Sequence, residues 1–199
     1  MFLYFSKIMD EEVRDKDDKF IGKLYDIILK PTDVYPISSR LIIKNGFFKP
    51  RYATVGWENV TEYADGAVRL KLKEQEINFT AFSNNKEDLT LRRDILDQQV
   101  VDTYNHNVIR VNDVHLLRVE NNLMIAHVDI SFRGIVRRLG LEKFVDYLVK
   151  SVNENSQYLK RDVLITWKYI QPLSINPASM TIKVNIPEKQ FRNIPAADF

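Results

Sequence analysis

The chain contains no cysteine and only 6 glycines among its 199 residues. The absence of cysteine excludes disulfides, thiolate metal sites, iron–sulfur clusters and cysteine nucleophiles. The glycines are not clustered, so the sequence contains no glycine-rich phosphate loop. No apolar run reaches the roughly 20 residues that a membrane-spanning helix needs, and residues 1–9 lack the pattern of a signal peptide. We therefore expect a cytoplasmic protein, which could associate with a membrane through a partner.

Neither basic nor acidic residues are in large excess. The 29 Lys and Arg residues balance 27 Asp and Glu residues, which leaves a net charge of +2. Such a balance gives no broad attraction for nucleic acid, so nucleic acid is not an expected partner. Hydrophobic residues make up 45% of the chain, which excludes a disordered protein. At roughly 100–200 residues per domain, the length fits one ordinary domain or two small ones.

The sequence contains an internal repeat. Val13-Arg14-Asp15 aligns with Val100-Val101-Asp102, which lies 87 positions later, and Trp57 aligns with Trp167, which lies 110 positions later. The second copy therefore carries an insertion of 23 residues, the difference between the two offsets. Because both tryptophans of the protein occupy the same repeat position, we predict two similar modules in tandem. The residues that we interpret as structural anchors of the repeat are Asp15, Asp26, Trp57, Asp102, Asp113 and Trp167.

Each copy has the pattern of short strands. Apolar and polar residues alternate imperfectly over residues 20–29, and turn dipeptides such as Asn45-Gly46 separate successive strands. This spacing is typical of small antiparallel barrels or sandwiches. We place the first module at residues 1–83, a linker at 84–90 and the second module at 91–175. Residues 176–199 form an extension, with a further strand predicted at 180–186, that could begin another domain.

The inserted segment has a helical period instead. Its apolar residues recur at helical spacing over residues 134–152, with Gly140 between a short turn and a longer helix. An arginine doublet on the polar side of this segment fits contact with an acidic protein surface or with anionic lipid headgroups. A solvated helix face is the alternative interpretation. The residues that we expect to contact a partner are Arg133, Arg137, Arg138 and Lys143.

Two groups of side chains carry atoms that can bind a metal. His115 and His127 lie on adjacent predicted strands and could hold a metal together with Asp129, but such histidines more commonly bind backbone groups or water. The acidic residues Asp10, Asp15, Asp17 and Asp18 could hold a hydrated Mg²⁺, but their spacing is not that of a calcium-binding EF-hand loop, and a polar turn is the preferred interpretation. We therefore predict no metal site.

Catalytic chemistry is not indicated either. The three histidines, His106, His115 and His127, are the only side chains that titrate near neutrality without perturbation. No nucleophile, base and orienting group can be named as a set. The sequence therefore predicts neither catalytic residues nor a cofactor, and we do not expect an enzyme.

The repeat resembles a known family, the PRC barrel, a small β-barrel shared by the photosynthetic reaction centre H subunit and a ribosome-maturation factor. In the first copy the resemblance rests on residues 13–27 and 57–60, and in the second copy on residues 100–114 and 167–170. The resemblance implies a mainly β protein of two tandem small antiparallel β-barrels, with a helical insertion in the second barrel.

A narrower resemblance comes from residues 137–142 and from Pro195-Ala196-Ala197-Asp198. These segments are similar to bacterial proteins in which paired PRC barrels precede an MgtE-type intracellular N domain and CBS domains. The resemblance implies a non-catalytic interaction or regulatory module of a magnesium-transport-related protein, with neighbouring domains, another protein, a second copy or a membrane surface as partners. It also implies that the chain ends where the next domain would begin. The alternative is a module of a ribosome- or RNA-associated assembly factor, which salt-dependent RNA binding would reveal.

Overall fold

The fold was analysed on a computed structural model that describes residues 2–64, 66–82, 88–153, 156, 158 and 162–172. Of the described residues, 45% lie in strands and 23% in helices, so the prediction of a mainly β protein is confirmed. None of the described helices is long and apolar enough to cross a membrane. The predicted strand at 180–186, the extension at 176–199 and most of the predicted linker lie outside the described residues.

Within these residues the chain forms fourteen strands and four α-helices. The strands are β1 (Phe2–Tyr4), β2 (Glu12–Arg14), β3 (Phe20–Lys30), β4 (Ile37–Asn45), β5 (Arg51–Gly56), β6 (Val60–Ala64), β7 (Ala67–Leu70), β8 (Leu89–Thr90), β9 (Gln99–Asp102), β10 (Asn107–Arg110), β11 (Asp113–Val119), β12 (Asn122–Asp129), β13 (Leu164–Thr166) and β14 (Ile170–Pro172). The helices are α1 (Phe5–Ile8), α2 (Leu91–Asp94), α3 (Phe132–Arg138) and α4 (Glu142–Val152). Single 3-10 turns span Trp57–Asn59, Glu74–Glu76 and Trp167–Tyr169.

The strands form one large sheet and one small sheet. The large sheet has 11 strands in the main order β1-β11-β12-β4-β3-β2-β7-β6, with β5, β8 and β13 attached to β4, β3 and β12, and it curls into a half-barrel. The small sheet has the order β10-β9-β14. Alternate residues of the long strands, such as Leu41 and Ile43 on β4, are fully buried and join a single core cluster with Phe5, Val114 and Trp167.

The β3–β4 hairpin and the β11–β12 hairpin have matching registers. Asp26 pairs with Ile42 in the first hairpin, and Asp113 pairs with Asp129 in the second. Each hairpin has a register shift at the same repeat position, after Ile28 in β3 and after His115 in β11. The same offset of 87 positions therefore describes both the sequence repeat and the strand pairing.

The two hairpins join through the antiparallel pair of Ile37 on β4 with Met124 on β12. These two residues are equivalent in the repeat, since they lie 87 positions apart. An antiparallel pair between equivalent residues is what a local two-fold axis produces. The axis that relates the two hairpins therefore passes close to this pair.

We call residues 2–82 the first half and residues 88–172 the second half. The first strand of each half pairs with a strand of the other half. β1 pairs with β11 of the second half, and β8 pairs with β3 of the first half. The backbone N–H of Ser6 donates to Asp113 (3.1 Å), and the backbone N–H of Arg92 donates to Asp26 (2.9 Å). Each half therefore completes the sheet of the other. Residues 89–90, which the sequence assigned to the linker, form β8.

Helices α3 and α4 lie in the connection between β12 and β13, and together they cover the segment whose period is helical. The first helix begins two residues earlier than the period predicts, because the hydroxyl of Ser131 accepts the N–H of Gly134 (3.2 Å) and caps it. Gly140 has a φ of +70°, a backbone conformation that favours glycine, and it separates the two helices.

We expect Ser38→Ala to weaken the junction between the halves. The hydroxyl of Ser38 is buried and accepts the N–H of Leu123 across the junction (2.9 Å). Its removal leaves a buried donor without a partner, which costs about 1–3 kcal/mol of the free energy of unfolding, as urea denaturation would measure. Ser39→Ala is the matched control, since the half-buried Ser39 hydroxyl only donates to the carbonyl of Ile28 (3.1 Å). Equal losses for the two variants would contradict this role of Ser38.

Candidate functional site

The guanidinium of Arg137 is buried against three carboxylates. Its Nη1 donates to Asp113 (3.0 Å) and to Asp129 (3.1 Å), and its Nη2 donates to Asp162 (2.8 Å). Arg137 is only 4% exposed. The three carboxylates come from the start of β11, the end of β12 and the residues before β13, so one side chain of α3 connects three parts of the second half. We call Arg137 and these three aspartates the Arg137 cluster.

The local chain geometry explains why the cluster forms. Asp113 and Asp129 are register partners, so both carboxylates lie on the same face of the hairpin. Asp129 also accepts the N–H of Ser131 (2.8 Å), which fixes the chain just before α3 begins. The side-chain amide of Asn112 donates to the carbonyls of Ile130 (2.9 Å) and Ser131 (3.1 Å). The start of α3 is thereby held beside the paired aspartates.

Tyr4 of β1 completes the surroundings of Arg137. The guanidinium carbon lies 3.4 Å from the centroid of the Tyr4 ring, in cation–π geometry. The Tyr4 hydroxyl donates to Asp162 (2.5 Å). Burial, together with this hydrogen bond, holds the pKa of Tyr4 well above its ordinary value. Tyr4 therefore stays protonated at neutral pH and acts as a fixed donor.

The guanidinium of Arg137 carries a fixed positive charge. Burial alone would lower the pKa of Arg137, but the hydrogen bond to Asp113 and the surrounding acidic groups raise it above its ordinary value. Burial raises the pKa of Asp113 despite its hydrogen bonds from Ser6, Val114 and Arg137. The guanidinium therefore remains charged at neutral pH, and what the cluster can do chemically is to hold elements together.

A pair of histidines lies next to the cluster. The Nδ1 atoms of His115 and His127 are 3.3 Å apart, and the His115 ring stacks on Phe2 (4.6 Å) and on Tyr4 (4.7 Å). Burial lowers the pKa of both histidines, and the charge of His127 lowers that of His115 further. Both rings are therefore uncharged at neutral pH, and one donates its Nδ1–H to the other.

Asp129, which the sequence offered as a metal ligand beside His115 and His127, binds other groups in the structure. The carboxylate of Asp129 binds Arg137 and the N–H of Ser131. Over the part of the chain that the structure describes, no group of three or more His, Asp or Glu side chains could hold a metal ion. The carboxylate of Asp15 is likewise used within its own turn, where it accepts the N–H groups of Asp17 and Lys19 (both 2.9 Å).

Helix α4 attaches to the rest of the protein by its charged side. Glu142 binds Lys7 of α1 (2.5 Å) and Arg133 of α3 (3.3 Å), and Asp146 binds Arg133 (3.0 Å). Glu142 also lies 3.6 Å from Arg137. Burial tends to raise the pKa of Glu142, but the hydrogen bond from Lys7 and the neighbouring cations hold it below its ordinary value. The acidic side of α4 therefore faces the protein.

The apolar side of α4 faces outward. No residue of α4 is buried. An ordinary surface helix turns its apolar stripe to the core, whereas here the stripe is open. The exposed fractions are 48% for Leu141, 61% for Phe144, 70% for Tyr147, 46% for Leu148 and 89% for Val152. We call these five residues the outer face of α4, and they form the candidate functional surface.

The structure separates the four basic residues that the sequence predicts as partner contacts. The prediction that Arg137 contacts a partner is corrected. Its side chain lies in the interior, because this side of α3 faces the carboxylates of the hairpin and not solvent. Arg138 pairs with Asp97 (2.6 Å) on the surface. Arg133 binds the acidic side of α4, and Lys143 is exposed at the edge of the outer face. The four side chains therefore do not form one basic patch.

The repeat anchors have the same local backbone environment in the two halves. Asp102, like Asp15, accepts the N–H groups of its own turn, from Tyr104 (3.0 Å) and Asn105 (3.1 Å). Trp57 and Trp167 are buried, and each begins a 3-10 turn. The anchors that remain, Asp26 and Asp113, each accept the N–H of the following residue and of a helix from the other half.

The first half has a cavity where the second half has the Arg137 cluster. Its volume is about 260 Å³, and Asp26 and Ile42 are among the residues that line it. By the repeat offsets, Ile42 stands in place of Asp129, and Tyr52 in place of Asp162. Only the carboxylate of Asp26 is retained, and burial raises its pKa. The arginine cluster is therefore a property of the second half alone.

Sequence reasoning missed three parts of this site. Asp162 and Tyr4 had no signal in the sequence, because neither lies in a motif and both reach Arg137 only in the folded chain. The outer face of α4 was visible as an apolar stripe, but the helical period of the sequence does not show which side of the helix contacts the protein.

Comparison of the chain with protein-family models gives no match, and a search among curated proteins gives none either.

We expect Arg137→Met to destabilise the protein strongly. The substitution leaves three buried or half-buried carboxylates without their cation, which costs about 3–5 kcal/mol. Arg138→Met is the matched control, since the partly exposed pair of Arg138 with Asp97, at the surface, contributes about 1 kcal/mol or less. Chemical denaturation followed by circular dichroism measures both. Similar stabilities of the two variants would show that the cluster does not hold the second half together.

We expect stability to decrease on acidification below pH 6.5, the ordinary pKa of histidine. Because the pKa of His115 and of His127 is lowered in the folded protein, the unfolded chain binds protons first as the pH falls through 6.5. The free energy of unfolding is then highest above pH 6.5 and decreases below it. The contribution of Glu142, whose pKa is also lowered, is lost in a separate window below its ordinary 4.5.

The double variant His115→Gln with His127→Gln tests this assignment. Urea denaturation at a series of pH values should give a flatter profile for the variant than for the parent between about pH 5 and 7. An unchanged profile would assign the acid sensitivity to other groups.

Proposed function

We propose that this protein is a non-catalytic interaction module that binds a partner protein through the outer face of α4. The observation that carries the proposal is the reversed orientation of this helix, whose acidic side is held inward by Lys7 and Arg133 while its large apolar side chains face solvent. A contiguous exposed apolar patch on a soluble domain marks an interaction site.

The ion pairs of α4 hold its outer face in one orientation. Three cations, Lys7, Arg133 and Arg137, surround the inner acidic residues Glu142 and Asp146, and Arg133 and Arg137 belong to the same helix. Because α3 is fixed by the buried Arg137 cluster, the direction of α4 is fixed as well. A surface held in one orientation loses little conformational entropy when a partner binds.

The charges at the edge of the outer face indicate the chemistry of the partner. Lys143 and Lys150 flank Tyr147 on one side of the stripe, and both are exposed without an ion pair among the described residues. Antiparallel packing of two copies would place Lys143 of one copy opposite Lys150 of the other, which like-charge repulsion disfavours. We therefore propose a different protein, with an apolar surface and an acidic rim.

We further propose that the two halves are PRC-barrel-like modules in tandem, with α3 and α4 as an insertion in the second. The matching hairpin registers and the matching local backbone environment of the anchor residues support this interpretation. The chain between β4 and β5, residues 46–50, contains no helix, whereas the described part of the chain between β12 and β13 contains α3 and α4. The placement beside magnesium-transport domains and the RNA-associated alternative stay predictions from resemblance.

Site-specific photocrosslinking tests the proposed surface. A photoreactive phenylalanine derivative replaces Phe144 in one sample and Phe20, an exposed phenylalanine of β3, in the control. After irradiation in cells, mass spectrometry identifies the crosslinked peptides. Crosslinks from position 144 to an apolar segment of another protein that is flanked by Asp or Glu support the proposal. Crosslinks only to this chain, to a second copy of it or to nothing overturn it.

We expect Phe144→Glu with Leu148→Glu to abolish binding of the partner so identified without unfolding the protein. Both side chains are largely exposed in the isolated chain, so the melting temperature should change little. Loss of two buried apolar contacts at the interface, at about 1.5–3 kcal/mol each, weakens binding by about a hundredfold or more. Isothermal titration calorimetry measures the loss, with the surface variant Arg118→Glu on β11 as control. Full binding by the double variant would contradict the assignment.

A further inference from the structure

The turn between β4 and β5 exposes two adjacent phenylalanines. Phe47 is 86% exposed and Phe48 is 94% exposed, and their rings lie edge to face at 5.2 Å. Large aromatic side chains are mostly buried in folded proteins, so two adjacent phenylalanines at this exposure are unusual. We call residues 46–50 the β4–β5 tip.

The backbone explains why these rings cannot join the core. Leu41 and Ile43 of β4 are fully buried, but the strand leaves the core at Asn45. Gly46, with a φ of +89°, turns the chain at the start of the tip. The two phenylalanines that follow lie at the outermost point of the hairpin, and no described core residue is near enough to cover them.

The surroundings of the tip carry one sign of charge. Residues 44–51 contain Lys44, Lys49 and Arg51 and no Asp or Glu. None of these three cations forms an ion pair with a described carboxylate, although the Arg51 guanidinium lies over the ring of Phe79 (5.9 Å). Lys23, the register partner of Lys44, adds a fourth cation on the neighbouring strand.

We propose that the β4–β5 tip inserts into the surface of an anionic lipid bilayer. Protruding aromatic rings enter the boundary between headgroups and acyl chains, while cations around them bind the anionic headgroups. A bilayer accepts a convex pair of rings without a shaped pocket, whereas a protein partner must supply a groove that fits them. The tip lies outside the outer face of α4, so this surface is independent of the proposed protein contact.

Vesicle co-sedimentation of the full chain tests the proposal. The probes are vesicles of phosphatidylcholine alone and vesicles that also contain phosphatidylglycerol. We expect binding only to the vesicles with phosphatidylglycerol, and a decrease on addition of salt. Phe47→Ser with Phe48→Ser should weaken binding by about a hundredfold, and Lys49→Glu should weaken it as well.

The control is Phe20→Ser, at an exposed phenylalanine of β3 outside both surfaces, which should bind vesicles as the parent does. The Phe144→Glu with Leu148→Glu variant of α4 is measured beside it. Absence of vesicle binding by the parent chain, equal binding to uncharged vesicles, or full binding by the tip variant would each overturn the proposal. Binding of polyglutamate that depends on the two phenylalanines, without binding to vesicles, would assign the tip to an acidic protein and also overturn it. Loss of vesicle binding in the α4 variant alone would assign the membrane contact to α4 instead.

Discussion

The buried ion cluster of Arg137 with Asp113, Asp129 and Asp162 is the interaction on which the second half of this protein depends. A buried charge is costly unless its partners satisfy it fully, and breaking one partner leaves the others uncompensated. Here one guanidinium meets three carboxylates from separate parts of the chain and the ring of Tyr4 from β1. The cluster therefore connects the exchanged first strand, the central hairpin and the helices.

The orientation of α4 follows from that cluster. Since Arg137 fixes α3, Arg133 on the same helix is placed to bind Asp146, and Glu142 meets Lys7 from α1. The charged side of α4 is thereby used inside the protein, and its apolar side has no protein surface to cover it among the described residues. The same apolar stripe, with the helix turned by half a revolution, would have formed an ordinary core contact.

The two halves share one β framework and differ in the connection that follows β4 in the first half and β12 in the second half. In the first half the connection after the central hairpin strand is the short tip with Phe47 and Phe48, and in the second half it contains α3 and α4. The replacement of Asp129 by Ile42 at the equivalent position removes a carboxylate that an arginine would need. Helices α3 and α4 and the buried carboxylates that hold α3 thus occur in the same half, while the β framework is shared.

The sequence by itself determined the mainly β class, the repeat with its 87-position offset and the helical period before Val152, because alternation, turn residues and helical spacing are local properties of the chain. It also placed Asp26 and Asp113 at equivalent positions. Only the tertiary structure decided that β1 and β8 cross between the halves, that Arg137 is buried and that α4 turns its apolar side outward. These features depend on which distant groups meet, such as Tyr4 with Asp162 or Lys7 with Glu142. Period identifies the two sides of a helix, but long-range charge pairing selects the side that faces the protein.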